Sequence, residues 1–223
     1  MLIFERRPQE TAREYALRTI KENIVRLELP PGSQVGENEL ATQLGLSRTP
    51  VREALMELAK VKIVDIQPQK KGVVAPIDMK LVEEARFTRS VMECSVVELV
   101  CSMATEEQLL ALDENVKLQQ FYLENHMPDR LQEMDDRFHA SLFAIAEKAL
   151  THTMMQNMAI HFDRLREMSL YSVKELKIVQ DHAQIVEAVR KGDPAEARRL
   201  MDFHLRRTHV DLEAIKAAYP QYF

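Results

Sequence analysis

The chain has 223 residues, of which 46% are hydrophobic and 29% are charged, and its formal net charge is −5. This composition supplies a sizeable core and excludes a largely disordered chain. Apolar runs fall short of the ~18 residues that a membrane span needs, and the first residues lack a signal-peptide pattern, so we expect a cytoplasmic protein with no membrane partner.

Acidic and basic residues are distributed unevenly along the chain. Residues 1–77 carry 12 Lys and Arg against 10 Asp and Glu, a charge of +2, whereas the remainder carries a charge of −7. The first third therefore suits a nucleic-acid partner better than the rest of the chain does. Only 5 glycines and 9 prolines interrupt the sequence, which favours helices throughout.

Three helices are predicted for the first third. The first helix spans about Gln9–Leu27, and the prolines and glycine of residues 29–32 end it. The segment 35–44 is predicted as a short helix, with Gly45 as a left-handed turn residue after it. Residues 47–60 are predicted as a further helix, capped by the serine at its start. Two short helices joined by such a turn are typical of a helix-turn-helix.

A β-hairpin, or wing, is predicted directly after these helices. Residues 63–67 and 73–77 each fit a strand, and a turn over residues 69–72 separates them. Lys70 and Lys71 lie at the tip of this hairpin. From there the two ammonium groups could reach an adjacent groove or the phosphate backbone of bound DNA.

The chain beyond Asp78 fits helices alone. Thr105 with Gln108 forms a capping-box pattern at the start of one of them. We therefore expect a mainly α protein, with a winged helix-turn-helix domain over residues 1–77 and an all-α antiparallel bundle over 78–223. The predicted helices of the bundle span Met79–Met103, Thr105–Leu123, Pro128–Glu147, Leu150–Tyr171, Val173–Lys191 and Pro194–Tyr219.

The start of the helix over residues 47–60 carries groups suited to DNA. Arg48 and Arg52 stand four residues apart and share a helix face, from which an arginine can donate two hydrogen bonds to a guanine. The hydroxyls of Ser47 and Thr49 suit phosphate oxygens. Taken singly, each residue fits an ordinary charged helix face better than a DNA contact, so the order of the whole string carries the argument.

That string contains LPPG at 29–32, ENELA at 37–41 and LGLSRTPVREAL at 44–55. It resembles the winged helix-turn-helix of the GntR family over nearly all of residues 9–77. The resemblance implies double-stranded operator DNA as the partner. It also implies DNA contacts by Arg48, Thr49 and Arg52 and a role for Gly72 in shaping the wing. Asn38 stands where the family often has an arginine that touches DNA, so we expect a shorter, neutral contact there.

Asp135 and His139 stand four residues apart on one predicted helix, which places a carboxylate and an imidazole on the same face. His182 and His204 lie on later predicted helices. One carboxylate and three imidazoles suit a divalent ion such as Zn²⁺, Ni²⁺ or Mn²⁺. Seven histidines allow many accidental combinations, so spacing alone leaves ordinary surface or core histidines as the alternative.

The region beyond residue 78 resembles the all-helical FCD ligand-binding domain of the FadR-like GntR subgroup. The matching motifs are Arg89-x-x-x-Glu93, Asp135-x-x-Phe138-His139, Asp181-His182 followed by Gly192-Asp193, and His204 in the closing helix. The resemblance implies that Asp135, His139, His182 and His204 hold a divalent metal at the floor of an effector pocket. The number of predicted helices, nearer six than seven, favours the shorter VanR-type arrangement.

A metal with open coordination positions would accept the carboxylate of a small organic acid. Arg89 is a candidate second clamp, because a guanidinium matches a carboxylate, although a pair with Glu93 within its own helix is an equally good interpretation. Arg164 and Arg166 are further candidates for effector binding. We therefore expect a homodimeric, ligand-responsive transcription regulator, with repression favoured over activation.

Two other classes of protein fit part of these observations. A metalloenzyme would use the same carboxylate and histidines, but it also needs a positioned acid or base, and no motif supplies one. A helical adaptor that binds proteins would explain neither the wing nor the cluster of metal-ligand types. We therefore expect a regulator that is not an enzyme.

Overall fold

A computed structural model of the chain describes residues 1–66, 70–172 and 177–223, with the side chains of 170–172 and 207–211 left out. The described residues divide into two compact units, here called the first unit and the second unit. The first unit comprises Met1–Val82, Ile160–Arg164 and Tyr219–Phe223, and the second comprises Glu83–Ala159 and Leu165–Ala218.

Three helices and a three-stranded antiparallel sheet form most of the first unit. The sheet has the order β1-β3-β2, and its register pairs Val35 with Gly72 and Val64 with Val74. The elements in chain order are α1 Ala12–Val25, β1 Gln34–Val35, α2 Glu37–Leu44, α3 Arg48–Lys60, β2 Val64–Asp65 and β3 Gly72–Val74.

Local sequence signals explain where these helices begin and end. Thr11 and Glu14 form a reciprocal capping box at the start of α1. Gly45 takes a left-handed conformation, with φ of 65°, and so ends α2. Ser47 stands at the N-cap of α3 with an extended backbone, but its side chain makes no capping hydrogen bond. The predicted cap position is therefore confirmed, whereas the predicted cap bond is absent.

The predicted helix over residues 35–44 begins two residues too early. Gln34–Val35 forms β1, which pairs with β3, and α2 begins only at Glu37. The wing strands β2 and β3 are also shorter than predicted, and the predicted positions Gln67 and Gln69 lie outside the described residues.

Gly72 lies within β3 rather than at the wing tip. A Cβ atom there would come within 3.1 Å of the side chains of both Val35 and Val64. Glycine therefore lets these two strands pack closely on β3, whereas any larger residue would require the neighbouring valines to shift by a few tenths of an ångström.

Six helices make up most of the second unit, which confirms the all-α bundle. Thr105 and Gln108 form the predicted capping box at the start of the second of these helices. The helices are α4 Met79–Met103, α5 Glu106–Glu124, α6 Pro128–Ile145, α7 Ala149–Ser172, α8 Ile178–Arg190 and α9 Pro194–Ala218. The predicted start of the fifth helix of the bundle at Val173 lies outside the described residues.

The first unit also takes in segments that are distant in sequence. Ile160 joins its apolar core, and His161 Nε2 lies 2.6 Å from the carbonyl oxygen of Val61. The backbone N–H of Ile77 donates to the carbonyl of Tyr222 at 2.7 Å. One turn of α7 and the chain end are therefore part of this unit, which the sequence did not indicate.

Candidate functional site

The N-terminal part of α3 presents polar groups to solvent. Its inward face is apolar and buried, so the opposite face is left exposed. Arg48 and Arg52 are both exposed, with about two thirds of each side chain accessible (65% and 68%). Ser47, Thr49 and Asn38 are exposed beside them. The structure thus brings these predicted DNA contacts onto one surface of the first unit.

The wing residues complete this surface. One cleft is lined by Arg48 and Arg52 together with Lys70, Lys71 and Gly72 of the wing. Lys70 and Lys71 are exposed, whereas Gly72 is buried in β3. Gly72 therefore contributes to the shape of the wing, and the lysines contribute its charge.

Two acidic residues at the start of α2 contact this basic surface, which the sequence analysis did not predict. The Nε atom of Arg48 donates to Glu37 Oε2, and the Nε atom of Arg52 lies 3.9 Å from Glu37 Oε1. Lys71 Nζ donates to Glu39 Oε1 at 2.6 Å. Three of the predicted DNA contacts therefore have acidic partners within the unit.

In the second unit, Asp135, His139, His182 and His204 converge on one buried point. Each can offer one ligand atom such that the four atoms lie within 4.8 Å of one another. His204 Nε2 lies 3.3 Å from the Nε2 atoms of both His139 and His182. Asp135 Oδ1 lies 3.6 Å from His182 Nε2. Helices α6, α8 and α9 thus bring together all four predicted ligands.

An oxygen atom lies near the outer nitrogen, Nδ1, of each of these histidines. Nδ1 of His182 lies 2.8 Å from Gln119 Oε1, and Nδ1 of His139 lies 2.5 Å from Glu93 Oε2. Nδ1 of His204 lies 3.5 Å from a carboxylate oxygen of Asp181. Such partners favour a proton on Nδ1 and leave the lone pair of each Nε2 directed at the others.

This arrangement fits a metal ion. Three Nε2 lone pairs at such short separations repel one another unless a cation lies between them. Atoms that ligate one ion at ~2.0–2.2 Å stand about 2.9–3.5 Å apart, from octahedral to tetrahedral geometry, and the 3.3 Å spacing of the imidazole nitrogens lies within that range. A five- or six-coordinate ion would keep positions open beyond these four ligands. Three imidazoles and one carboxylate also form a donor set that zinc, nickel and manganese accept.

The charges around the cluster keep its ligands ready for a cation. Burial alone would raise the pKa of Asp135, but Arg166 and the imidazoles outweigh that effect and hold the pKa well below its usual range. Burial lowers the pKa of both His182 and His204. The carboxylate is thus ionised at neutral pH, and these two imidazoles are neutral, as metal ligation requires.

The three candidate effector arginines lie in different surroundings. Arg166 Nη2 lies 3.2 Å from Asp135 Oδ2 and also contacts Asp136, so it stands beside the cluster. Arg89 is buried and donates from Nε to Glu93 Oε1 at 2.6 Å, and Glu93 in turn contacts His139. The pair of Arg89 with Glu93 within one helix, which the sequence left open, is therefore present.

Arg164 is not brought to the cluster. It belongs to the first unit, where its guanidinium is buried and donates to the carbonyls of Ala75 at 2.7 Å and Pro76 at 3.3 Å. Burial lowers the pKa of this guanidinium to about 10. Two of its terminal nitrogens therefore donate to backbone carbonyls of the first unit, away from the ligands that converge in the second.

Two domain families match the chain: the gntR family of bacterial regulatory proteins over residues 13–74 and the FCD domain over residues 84–207. The HTH-type transcriptional repressor RspR of Escherichia coli is 30% identical over 217 residues, which cover 97% of this chain and 95% of that protein. The chain belongs to the GntR family. It is a DNA-binding transcriptional regulator with an FCD domain, of a family whose members are not enzymes.

Other relatives agree with this GntR assignment. An HTH-type transcriptional regulator of Streptomyces ambofaciens is 31% identical, over 92% of this chain and 86% of that protein. Among solved structures, McbR/YncC of Escherichia coli has the same fold, with a TM-score of 0.80 at 19% identity over 94% of this chain and 99% of the other. A regulator from Rhodococcus sp. RHA1 has a TM-score of 0.71 at 17% identity, over 92% and 98%.

In this GntR regulator, the sequence analysis missed Gln119 as a partner of the cluster. Gln119 is buried on α5 and donates to Asn115, which donates to the carbonyl of Met134. The available signal was two amide side chains on the inward stripe of α5, in line with Leu109 and Leu112.

No helix in the described part of the chain is both long and apolar enough to cross a membrane.

Proposed function

We propose that this regulator is a metal-dependent repressor that senses a small carboxylate and binds operator DNA as a homodimer. Residues 1–77 form its DNA-binding domain in this proposal, and residues 78–223 form its effector-binding and dimerisation domain. The observation that carries the proposal is the convergence of three imidazole nitrogens and one carboxylate in the second unit. Repression is supported by the name of the Escherichia coli relative RspR, a transcriptional repressor. The run of six helices supports a VanR-type arrangement.

The proposed DNA contacts all lie on α2, α3 and the wing. Arg48 and Arg52 would donate to base edges in the major groove, while neighbouring groups touch phosphate oxygens. Ser47 supports this division, because its hydroxyl makes no capping bond and stays available for a phosphate. The proposed contacts are Asn38, Ser47, Arg48, Thr49, Arg52, Lys70 and Lys71, with Gly72 setting the shape of the wing.

Asp135, His139, His182 and His204 would hold the divalent ion, for which zinc, nickel and manganese are the candidates. When bound, the ion would supply positive charge and open coordination positions for the carboxylate of the effector. Arg166 is the proposed second contact for that carboxylate, because its guanidinium stands beside Asp135. Arg89 would act through Glu93, which holds His139 in place.

A thermal-shift experiment tests this sensing role. Metal-loaded and chelated protein would be screened against sugar acids, hydroxy acids, dicarboxylates and amino acids. We expect a carboxylate to stabilise only the metal-loaded protein, by about 2.7 kcal/mol at one hundred times its Kd. An Arg166→Gln variant should keep the metal and lose this stabilisation. Equal stabilisation of chelated protein, or no stabilisation by any acid in the panel, would contradict the proposal.

The homodimer is supported by an exposed apolar face on the second unit. Phe87 and Val91 stand one turn apart on the same side of α4, and a stripe of exposed apolar residues follows α7. Thr88 Oγ1 lies 4.0 Å from Met158 Sδ, so the two groups of residues adjoin. Large exposed apolar areas of this kind mark protein interfaces. The apolar face comprises Phe87 and Val91 on α4, and Leu150, Met154 and Met158 on α7.

Light scattering after size-exclusion chromatography tests this face. We expect Phe87→Glu to give a monomer, because a carboxylate cannot be buried unpaired in an apolar interface. Phe121→Glu is the matched control, since Phe121 is exposed on α5, and it should leave the dimer intact. A dimer that survives Phe87→Glu but dissociates in Phe121→Glu would place the interface elsewhere.

A further inference from the structure

The acidic residue Glu37 lies at the centre of the proposed DNA-reading surface. Its two carboxylate oxygens contact the Nε atoms of two different arginines: Oε2 accepts from Arg48, and Oε1 lies 3.9 Å from Arg52. The two arginines are about two-thirds exposed, so one carboxylate links two long side chains that would otherwise move independently in water.

The choice of Nε as the contact atom has a consequence for base reading. A guanidinium has donors on two edges, and contact through Nε leaves the edge formed by its two terminal nitrogens available. That edge is the one that can donate two parallel hydrogen bonds to O6 and N7 of guanine. Contact through Nε can therefore orient an arginine without using the donors that base recognition needs.

Glu37 also changes the electrostatics of the surface. Non-specific DNA binding depends on the number of phosphates that basic side chains neutralise. A carboxylate between two arginines offsets part of their positive charge and repels phosphate oxygens that approach in a wrong register. Orientation of the two arginines should raise the affinity for the target sequence. Compensation of their charge by Glu37 should lower the affinity for every DNA sequence.

We propose that Glu37 is a specificity-determining residue, which orients Arg48 and Arg52 for base reading and lowers the affinity for non-target DNA. This inference rests on the proposed reading role of the two arginines. Glu39 differs, because it contacts Lys71, a point charge without a planar edge to orient. Glu39 should therefore change only the part of the DNA affinity that comes from phosphate contacts, which is the same for every sequence.

Fluorescence anisotropy of the full-length protein tests the proposal with two probes: short duplexes of random sequence, and the duplex that the parent protein enriches from that pool. In Glu37→Gln, we expect random duplex to bind about three to ten times more tightly, and its salt slope to steepen by about one unit. Affinity for the enriched duplex should stay within about twofold or fall, so the ratio of the two affinities declines.

Three further variants separate the effect of the negative charge of Glu37 from its effect on the orientation of the two arginines. Glu37→Asp keeps the charge but is too short to bridge both arginines, so it should weaken only the enriched duplex. Glu39→Gln should strengthen both probes alike and leave their ratio unchanged. Glu196→Gln is the matched control, since Glu196 pairs with Arg199 in the second unit, and it should change neither probe.

An unchanged affinity ratio in both Glu37 variants would overturn the inference about Glu37. If Arg48→Ala and Arg52→Ala also bind the enriched duplex as tightly as the parent, the proposed reading role of α3 fails as well. If those two variants bind weakly while the Glu37 variants keep the parent ratio, only the role of Glu37 fails.

Discussion

The proposed DNA-reading surface, formed by Arg48, Arg52 and the wing lysines, and the histidine cluster use charge in opposite ways. On the first, arginines and glutamates pair in contact with water, where such pairs contribute little to stability and side chains can exchange partners. In the second, the charged and polar side chains are buried, and each ligand of the cluster lies within 4.0 Å of another. The exposed arginines can therefore leave their glutamate partners and bind a ligand. The buried groups of the cluster instead hold the ligand atoms in one fixed arrangement before a ligand binds.

The largest expected difference between the two regions concerns stability. Arg89 and Glu93 are both buried and pair through Nε and Oε1. Glu93→Gln removes the buried carboxylate that contacts both Arg89 and His139, which should lower the free energy of unfolding by about 3–5 kcal/mol. Urea denaturation of the metal-free protein measures this loss.

The control for this variant is Glu196→Gln, in which the partner Arg199 is exposed. We expect no measurable change in its unfolding midpoint. Equal losses of unfolding free energy in Glu93→Gln and Glu196→Gln would mean that burial does not distinguish the two ion pairs. That result would contradict the proposed difference between the two regions.

Substitution of the reading arginines should act on DNA binding and leave stability unchanged. Each of Arg48→Ala and Arg52→Ala should weaken binding to an enriched duplex by about 1–3 kcal/mol, because each removes a two-bond contact to a base. Anisotropy titrations at matched salt measure this change. Lys60→Ala, at the opposite end of α3, is the control and should retain parental affinity. Parental affinity in both arginine variants would place the reading surface elsewhere.

The partners of the histidines should tune metal affinity. Gln119→Leu removes the oxygen that accepts from His182, so metal affinity should fall about 10–100-fold with the ligands themselves intact. Competition against a chromophoric chelator measures this change. Gln120→Leu alters the exposed neighbour on the same helix and should leave affinity unchanged. A Gln119→Leu affinity equal to that of the parent would show that this contact does not support the metal.

A smaller effect is expected from His161 in the first unit. Burial lowers its pKa below the ordinary value of 6.5, with Arg164 and Lys62 acting in the same direction and the Val61 carbonyl and Asp78 opposing. An unfolded chain therefore binds this proton more readily, and the stability that His161 contributes above about pH 6.5 is lost as the pH falls. The unfolding free energy of His161→Gln should depend less on pH between 7.5 and 5.5. An unchanged pH dependence would contradict this assignment.

The sequence predicted the helical elements well because their signals are local. The predicted bounds of α4 agree with the structure, and the capping box at Thr105 is present. Four metal ligands were predicted from spacing on one helix together with a family resemblance, and the fold brings them together. The strand β1 was missed because two residues show no alternation, and its existence depends on pairing with Gly72 and Val73.

Contacts between distant residues account for the remaining differences. The pair of Glu37 with Arg48 joins residues eleven positions apart across a turn, and no periodic pattern marks it. Arg164 and Arg166 stand two residues apart on α7, yet one donates to the carbonyl of Ala75 and the other contacts Asp135. Helical spacing predicts that the two side chains lie on different faces of the helix, but it does not predict which residues pack against each face.

The metal content of the purified protein tests the central claim most directly. Elemental analysis should find about one divalent ion per chain in the parent and in His126→Ala, a control in which the histidine is exposed. The double variant His139→Ala/His182→Ala should contain essentially none, even after incubation with zinc, nickel or manganese followed by desalting. Equal metal content in the double variant and the parent would contradict the proposed centre.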